Sequence, residues 1–224
     1  MNKRLNAITT LAIDILIVVF VTMSTVVLYF GSDGVLAAGG PALFKFFTTD
    51  SNVLLGICAL INIPLDAMVL LGKRERISKI YNIIFHVGNV STSVTLLTVI
   101  FFLGPTMGYQ AMYVGMVLFM HLINPLLGLV RYIVFGGHIE EFSWQQSFFG
   151  IIPMFVYGIF YVINVVVHNG YGVYDYDWYG FGAGGPVGAA ISFIVMLLAT
   201  AAICIGIYFA RVGVSKLLKK SENE

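Results

Sequence analysis

The sequence is short of charged residues. Of its 224 residues, 12 are Lys or Arg and 11 are Asp or Glu, so that charged residues make up 10 % of the chain. A soluble globular domain carries about 25 %, whereas hydrophobic residues here reach 59 %. A chain with so little charge cannot cover a soluble surface, and we predict an integral membrane protein. This excludes a nucleic-acid binder, a secreted disulfide scaffold and a disordered regulator.

Cysteines and familiar catalytic signatures are also scarce. The two cysteines, Cys58 and Cys204, both lie in apolar runs, so neither a disulfide nor a metal site is predicted. The sequence has no Gly-x-Ser-x-Gly motif, no His-Glu-x-x-His motif and no phosphate-binding loop. We therefore predict no cofactor and no metal. The net charge of +1 gives no reason to expect a nucleic-acid partner.

Long apolar runs are what the sequence has instead. A helix needs about 20 apolar residues to cross a bilayer, and six stretches of the chain meet this requirement. They predict an all-α, multi-pass fold in which residues 1–224 form one domain of six transmembrane helices. The predicted spans are Leu5–Phe30, Pro41–Leu71, Ile80–Leu103, Ala111–Phe135, Gln146–His168 and Val187–Ala210.

The basic residues predict the orientation of these spans. If the spans alternate in direction, eleven of the twelve Lys and Arg residues fall on one side, and only Lys45 falls on the other. Basic residues are concentrated on the cytoplasmic side of membrane proteins. We therefore expect both termini in the cytoplasm, and a location in the plasma membrane or the inner membrane of a bacterium.

One predicted outer loop, His168–Pro186, is rich in aromatic residues, among them Tyr174 and Tyr176. Tyr and Trp favour the headgroup region of a bilayer, so this loop has the composition of an interfacial belt. A loop at the outer surface is also where a ligand enters, and a lid that faces the substrate is the alternative interpretation.

Polar residues cluster within the predicted spans, where they are costly and indicate a functional site. If the second span starts at Pro41, Thr48 and Thr49 lie roughly 10–12 Å below the outer surface, and His121 of the fourth span lies roughly 15 Å below it. This outer layer comprises Thr48, Thr49, Asp50, Asn52, Ser91, Thr92, Thr95, His121 and Asn124. Near the inner surface, Asp14 and Asp66 are expected to pair with basic residues in a structural role. His138 and His168 are expected in solvent.

The polar layer has two interpretations. Ser, Thr, Asn and His form hydrogen bonds between helices in membranes, which needs no ligand. The other interpretation is a nucleophile and its base, because His can take the proton of a Thr hydroxyl. We then expect Thr48 or Thr49 to approach His121 directly or through one water. A polar partner from Asp50, Asn52 or the third span should orient the ring, and the Asn52 amide can also polarise a substrate carbonyl.

Three motifs in this layer resemble those of a known family. The run Phe46–Asn52 resembles "F-T-x-Q-S-N", His121–Pro125 resembles "H-x-x-x-P", and Val167–Tyr176 resembles the stretch ending "G-x-Y-x-Y-P-F". These motifs occur in bacterial relatives of the androgen-induced membrane proteins, which hydrolyse fatty acid esters of hydroxy fatty acids. The order and spacing of the six spans agree with that family as well.

The resemblance implies a six-helix intramembrane hydrolase with a threonine nucleophile and a histidine, here His121. The nucleophile is Thr48 on the bacterial pattern and Thr49 on the eukaryotic spacing. Two departures stand out: Asp50 replaces the usual Gln, and Asp177-Trp178 replaces Pro-Phe.

We therefore expect a hydrolase whose substrate is a membrane lipid or fatty acyl ester. The alternatives are a lipid or small-molecule transporter or binding protein, and a structural membrane protein without a ligand.

Overall fold

The computed structural model describes residues 3–31 and 39–221, and these residues form a helical bundle. Six of its helices are long and apolar enough to span a membrane. In lipid, a helix is the form in which one segment satisfies all of its own backbone hydrogen bonds, so apolar runs of this length become helices. The helices are α1 (Lys3–Phe30), α2 (Phe47–Leu70), α3 (Lys79–Met107), α4 (Gly115–Val134), α5 (Trp144–Val167) and α6 (Gly185–Ser221).

The starts of two helices differ from the prediction in a way that affects the site. Gly40–Lys45 forms a separate 3₁₀ helix, and Phe46 is extended, so α2 begins at Phe47 and not at Pro41. Likewise α4 begins at Gly115, whose φ of 53° suits glycine, and not at Ala111. The predicted start of the second span was therefore wrong, and Thr48 lies in the first turn of α2.

Helix α3 is the centre of the bundle. Of its most apolar stretch, 61 % is buried inside the protein, whereas the figure for α6 is 17 %. The main apolar core joins five of the six helices through Ile17, Leu55, Phe85, Tyr132 and Cys204. The Cys58 and Cys204 thiols are both free and buried.

The end of the bundle that holds Lys3 and Ser221 contains a buried ionic cluster. Arg131 of α4 donates to Asp14 of α1 at 2.8 Å and to Asp66 of α2 at 3.4 Å. Both aspartates thus pair with a basic residue, as the sequence predicts. The expectation of a solvated His138 was wrong: its side chain is fully buried, and its Nε2 lies 2.6 Å from Asp66 Oδ1.

Candidate functional site

A cavity of about 280 Å³ lies at the opposite end of the bundle, where α2 begins and α3 ends. Thr48 of α2 and His121 of α4 both line it. The structure thus brings together two of the predicted site residues that lie 73 positions apart in the chain. The cavity is lined by Phe46, Thr48, Phe102, Leu103, Thr106, Met107, Met112, His121, Tyr174, Trp178 and Tyr179.

His121 has one ring nitrogen occupied and one free. Its Nδ1 lies 2.8 Å from the carbonyl oxygen of Met112. A carbonyl can only accept a hydrogen bond, so Nδ1 carries the proton in the neutral ring and Nε2 carries a lone pair. Nε2 is buried and has no hydrogen-bond partner among the described residues. A neutral histidine in this tautomer can act as a general base.

The backbone around His121 is unusual. Residues Phe119–Ile123 form one turn of π-helix inside α4. In a π-helix, the Met120 carbonyl would bond to the N–H of residue 125, which is proline and has none. Asn52 of α2 supplies the missing donor, because its Nδ2 lies 2.9 Å from the Met120 carbonyl oxygen. The π-turn that places His121 is therefore held from α2.

Asn52 and Asn124 have structural bonds in place of the predicted catalytic ones. Asn52 Nδ2 donates to the carbonyls of Met120 and Thr48, and Asn52 Oδ1 accepts from Asn124 Nδ2 at 3.0 Å. Both amide protons of Asn52 are used, so none is left for a substrate carbonyl. The predicted polar side-chain partner of the His121 ring was also wrong, because the partner is the Met112 backbone. A backbone carbonyl has no signature in a sequence, which is why the sequence analysis missed it.

The two candidate threonines have different surroundings. Thr48 lines the cavity with His121, whereas Thr49 is not among the lining residues. Thr49 is fully buried, and its hydroxyl has no partner within residues 39–221 or 3–31. No hydrogen bond joins either hydroxyl to the free Nε2 of His121 in the described chain. Thr48 and His121 therefore line the same cavity without a hydrogen bond between their side chains.

The Thr48 hydroxyl interacts with the Tyr179 phenol and not with a carbonyl of its own helix. A threonine inside a helix commonly donates to the carbonyl one turn before it. Thr92 does so, with bonds to Gly88 and Asn89, and Ser91 bonds to Val87. Thr48 is the second residue of α2, so its own helix has no carbonyl at that position.

The third-span residues of the predicted layer form hydrogen bonds with other groups of the protein. Ser91 and Thr92 bond within α3, and the Thr95 hydroxyl lies 3.0 Å from that of Ser51 on α2. Of these residues, only Thr95 forms the hydrogen bond between helices that the first interpretation expects. Asp50 does not line the cavity of Thr48 and His121; it faces a separate groove between α2 and α5.

The aromatic loop closes over the cavity. Asp177 is buried and accepts hydrogen bonds from the Tyr161 hydroxyl and from the backbone N–H groups of Gly172 and Gly182. These bonds fold the loop back on itself and place Trp178 and Tyr179 in the cavity wall. The Asp177 carboxylate therefore organises the loop.

The two loop tyrosines predicted as site residues lie in different surroundings. Tyr174 lines the cavity and is 64 % exposed, so it lies at the mouth. Tyr176 stacks on His168, with ring centroids 4.4 Å apart, and does not line the cavity. The exposed His168 is as expected.

Tyr179 is a site residue that the sequence analysis did not single out. Its hydroxyl accepts a hydrogen bond from the Phe47 N–H at 3.0 Å, at the first residue of α2. Burial raises the pKa of Tyr179 to about 12, and the adjacent Tyr157 and Thr48 side chains only partly offset this effect. The phenol therefore keeps its proton beside Thr48 and can donate it to an oxygen there. The aromatic composition of the loop was the available signal, but it did not distinguish Tyr179 from its neighbours.

A second, narrow cavity of about 50 Å³ meets the first at Thr48 and Tyr179, which line both. Its other walls are mostly apolar, with Val94, Met154 and Phe193 among them. Thr48 thus lies between the cavity that contains His121 and a narrower apolar cavity.

Comparisons of the chain with models of known protein families, with curated proteins and with solved structures gave no match to any of them.

Proposed function

We propose that this protein is an intramembrane hydrolase of lipid esters, with Thr48 as the nucleophile and His121 as the base. One observation carries the proposal: Thr48 lines the same cavity as His121, whose Nε2 has no hydrogen-bond partner in the described chain. The adjoining narrow cavity has mostly apolar walls, and its volume of about 50 Å³ admits only a short part of an acyl chain. The motif resemblance in the sequence points to the same reaction.

The reaction uses groups that the chain supplies. The Thr48 oxygen attacks the ester carbonyl carbon while His121 Nε2 takes the hydroxyl proton. The carbonyl oxygen becomes an oxyanion, toward which the Tyr179 phenol can donate a hydrogen bond. The bond to the alcohol oxygen then breaks, and Nε2 returns the proton to the departing alcohol.

The acyl-threonine left on Thr48 is hydrolysed in a second step. A water molecule attacks the same carbonyl carbon, again with Nε2 as the base, and the bond to the Thr48 oxygen breaks. The fatty acid leaves, and the proton on Nε2 returns to Thr48. Exposed Tyr174 marks the mouth through which water reaches the cavity.

A fluorophosphonate probe tests this proposal on the purified protein. We expect covalent labelling of the Thr48 oxygen, mapped by mass spectrometry of the digested protein, because only an activated hydroxyl attacks the phosphorus. His121→Ala should remove the labelling, and Thr49→Ala should keep it. A folded wild-type protein that is not labelled, or equal labelling of His121→Ala, would contradict the proposed pair.

Tyr179→Phe tests the role of the phenol. Loss of one donor to an oxyanion lowers kcat by about 10²- to 10³-fold, and we expect a fall in this range for a long-chain ester. KM should change much less, because the hydrogen bond strengthens in the transition state. Tyr171→Phe is the matched control in the same loop, since Tyr171 does not line the cavity. An equal kcat in Tyr179→Phe and wild type would show that the phenol has no part in the reaction.

A further inference from the structure

A third cavity lies between α2 and α5, beside the site of Thr48 and His121. It is a groove of about 600 Å³, and the residues of α5 that line it include Pro153, Val156, Phe160 and Asn164. These residues follow each other at intervals of three or four, so they form one face of the helix. Neither Thr48 nor His121 lines this groove. It shares Trp178 with the cavity of His121, and Tyr157 and Tyr161 with the narrow cavity, so it adjoins the proposed site without containing the reacting pair.

The groove has the length of one bilayer leaflet. From Pro153 to Asn164 the rise along the helix is roughly 16 Å, and half of the hydrocarbon core is about 15 Å. The deep part is apolar, with Leu54 of α2 opposite Pro153 and Val156 of α5. Val156 and Phe160 are 46 % and 69 % exposed, so the groove opens to the surrounding lipid. Its shape and depth match a single acyl chain.

The other end of the groove carries two opposite charges. Lys45 and Asp50 both line it, close to the start of α2. The Lys45 ammonium lies 5.9 Å from the centre of the Trp178 ring and is exposed. The Asp50 carboxylate forms no hydrogen bond or ion pair with the part of the chain that the structure describes. The first turn of a helix favours a carboxylate only modestly, so this half-buried group still lacks a partner.

These features select one class of lipid. A phosphate group pairs with Lys45, and an ammonium group can donate charge-assisted hydrogen bonds to Asp50. An anionic lipid without an amine satisfies Lys45 but leaves Asp50 unpaired and repelled. We propose that the groove between α2 and α5 binds a phospholipid whose headgroup carries both a phosphate and an ammonium group, with Asp50 as the residue that recognises the ammonium.

Native mass spectrometry of the full-length protein in detergent, with equal amounts of phosphatidylethanolamine and phosphatidylglycerol, tests this inference. We expect the wild type to retain phosphatidylethanolamine roughly tenfold better, which is the preference that one charge-assisted hydrogen bond gives. Asp50→Asn should bring the ratio close to one. Lys45→Gln should lower the retention of both lipids, because both carry a phosphate.

The control is Asp175→Asn, which removes the same charge from an exposed position that does not line the groove. It should keep the wild-type ratio, and a thermal melt of each variant shows whether it is folded. Three results would overturn the inference: equal retention of the two lipids by the wild type, an unchanged ratio in folded Asp50→Asn, or unchanged retention in Lys45→Gln. A general layer of bound lipid would give the first of these.

Discussion

Replacing His121 by Ala should lower the hydrolysis of a long-chain ester on the order of 10³-fold. The ring provides the lone pair at Nε2, and the Met112 carbonyl that fixes its tautomer cannot replace it as a base at the cavity. Thr48→Ala should cause a loss of the same size, because nucleophile and base act as a unit. The double variant should then be no worse than either single one.

The controls for this result come from the chain itself. Thr49→Ala should keep most of the activity, because Thr49 does not line the cavity of His121. Thr48→Ser should keep part of it, since the hydroxyl remains. His168→Ala removes an exposed histidine from the same end of the bundle and should have little effect. Equal esterase activity of folded wild type and His121→Ala would end the hydrolase proposal.

The second large effect concerns stability. Arg131→Met should lower the free energy of unfolding by about 3–5 kcal/mol, because it leaves the Asp14 and Asp66 carboxylates buried without their shared cation. The guanidinium also lies 4.1 Å from the centre of the Phe85 ring, so the variant loses this contact as well. Thermal or denaturant unfolding in detergent measures the change.

A second substitution separates charge from packing. In Arg131→Met, Asp66 keeps its contact with His138, so adding Asp14→Asn removes the carboxylate that has lost its partner and should restore part of the stability. Arg76→Met, in the exposed connection between α2 and α3, is the matched control and should change stability by no more than about 0.5 kcal/mol. If Arg131→Met unfolded like Arg76→Met, the ionic cluster would not hold α1, α2 and α4 together.

The six helices could be predicted from the sequence because lipid leaves an apolar run few alternatives to a helix. Hydropathy could not predict that α2 begins at Phe47, since the residues of the preceding 3₁₀ helix are also mostly apolar. It equally missed the burial of His138, which depends on Asp66, a residue 72 positions away. Orientation of the termini stays a prediction from the basic residues.

The candidate site could be predicted only in part, and the reason differs from residue to residue. Thr48 and His121 carry reactive groups, so a nucleophile and a base could be predicted from their residue types alone. Asn52 has an equally suggestive type, but the fold uses its amide to complete the backbone of α4. The contribution of Tyr179 depends on how Asp177 folds the loop, and no local pattern encodes that arrangement.

The way in which His121 is held also bears on how such a site can change during evolution. Two main-chain carbonyls take part in holding it, that of Met112 before α4 and that of Met120 within α4, and every amino acid has this group. Replacements at these two positions therefore keep the bonds where the helix turns stay in place, but both side chains are buried and have to remain apolar. Selection on the support acts instead on Asn52 and Pro125. Related chains would then share few identical residues around His121.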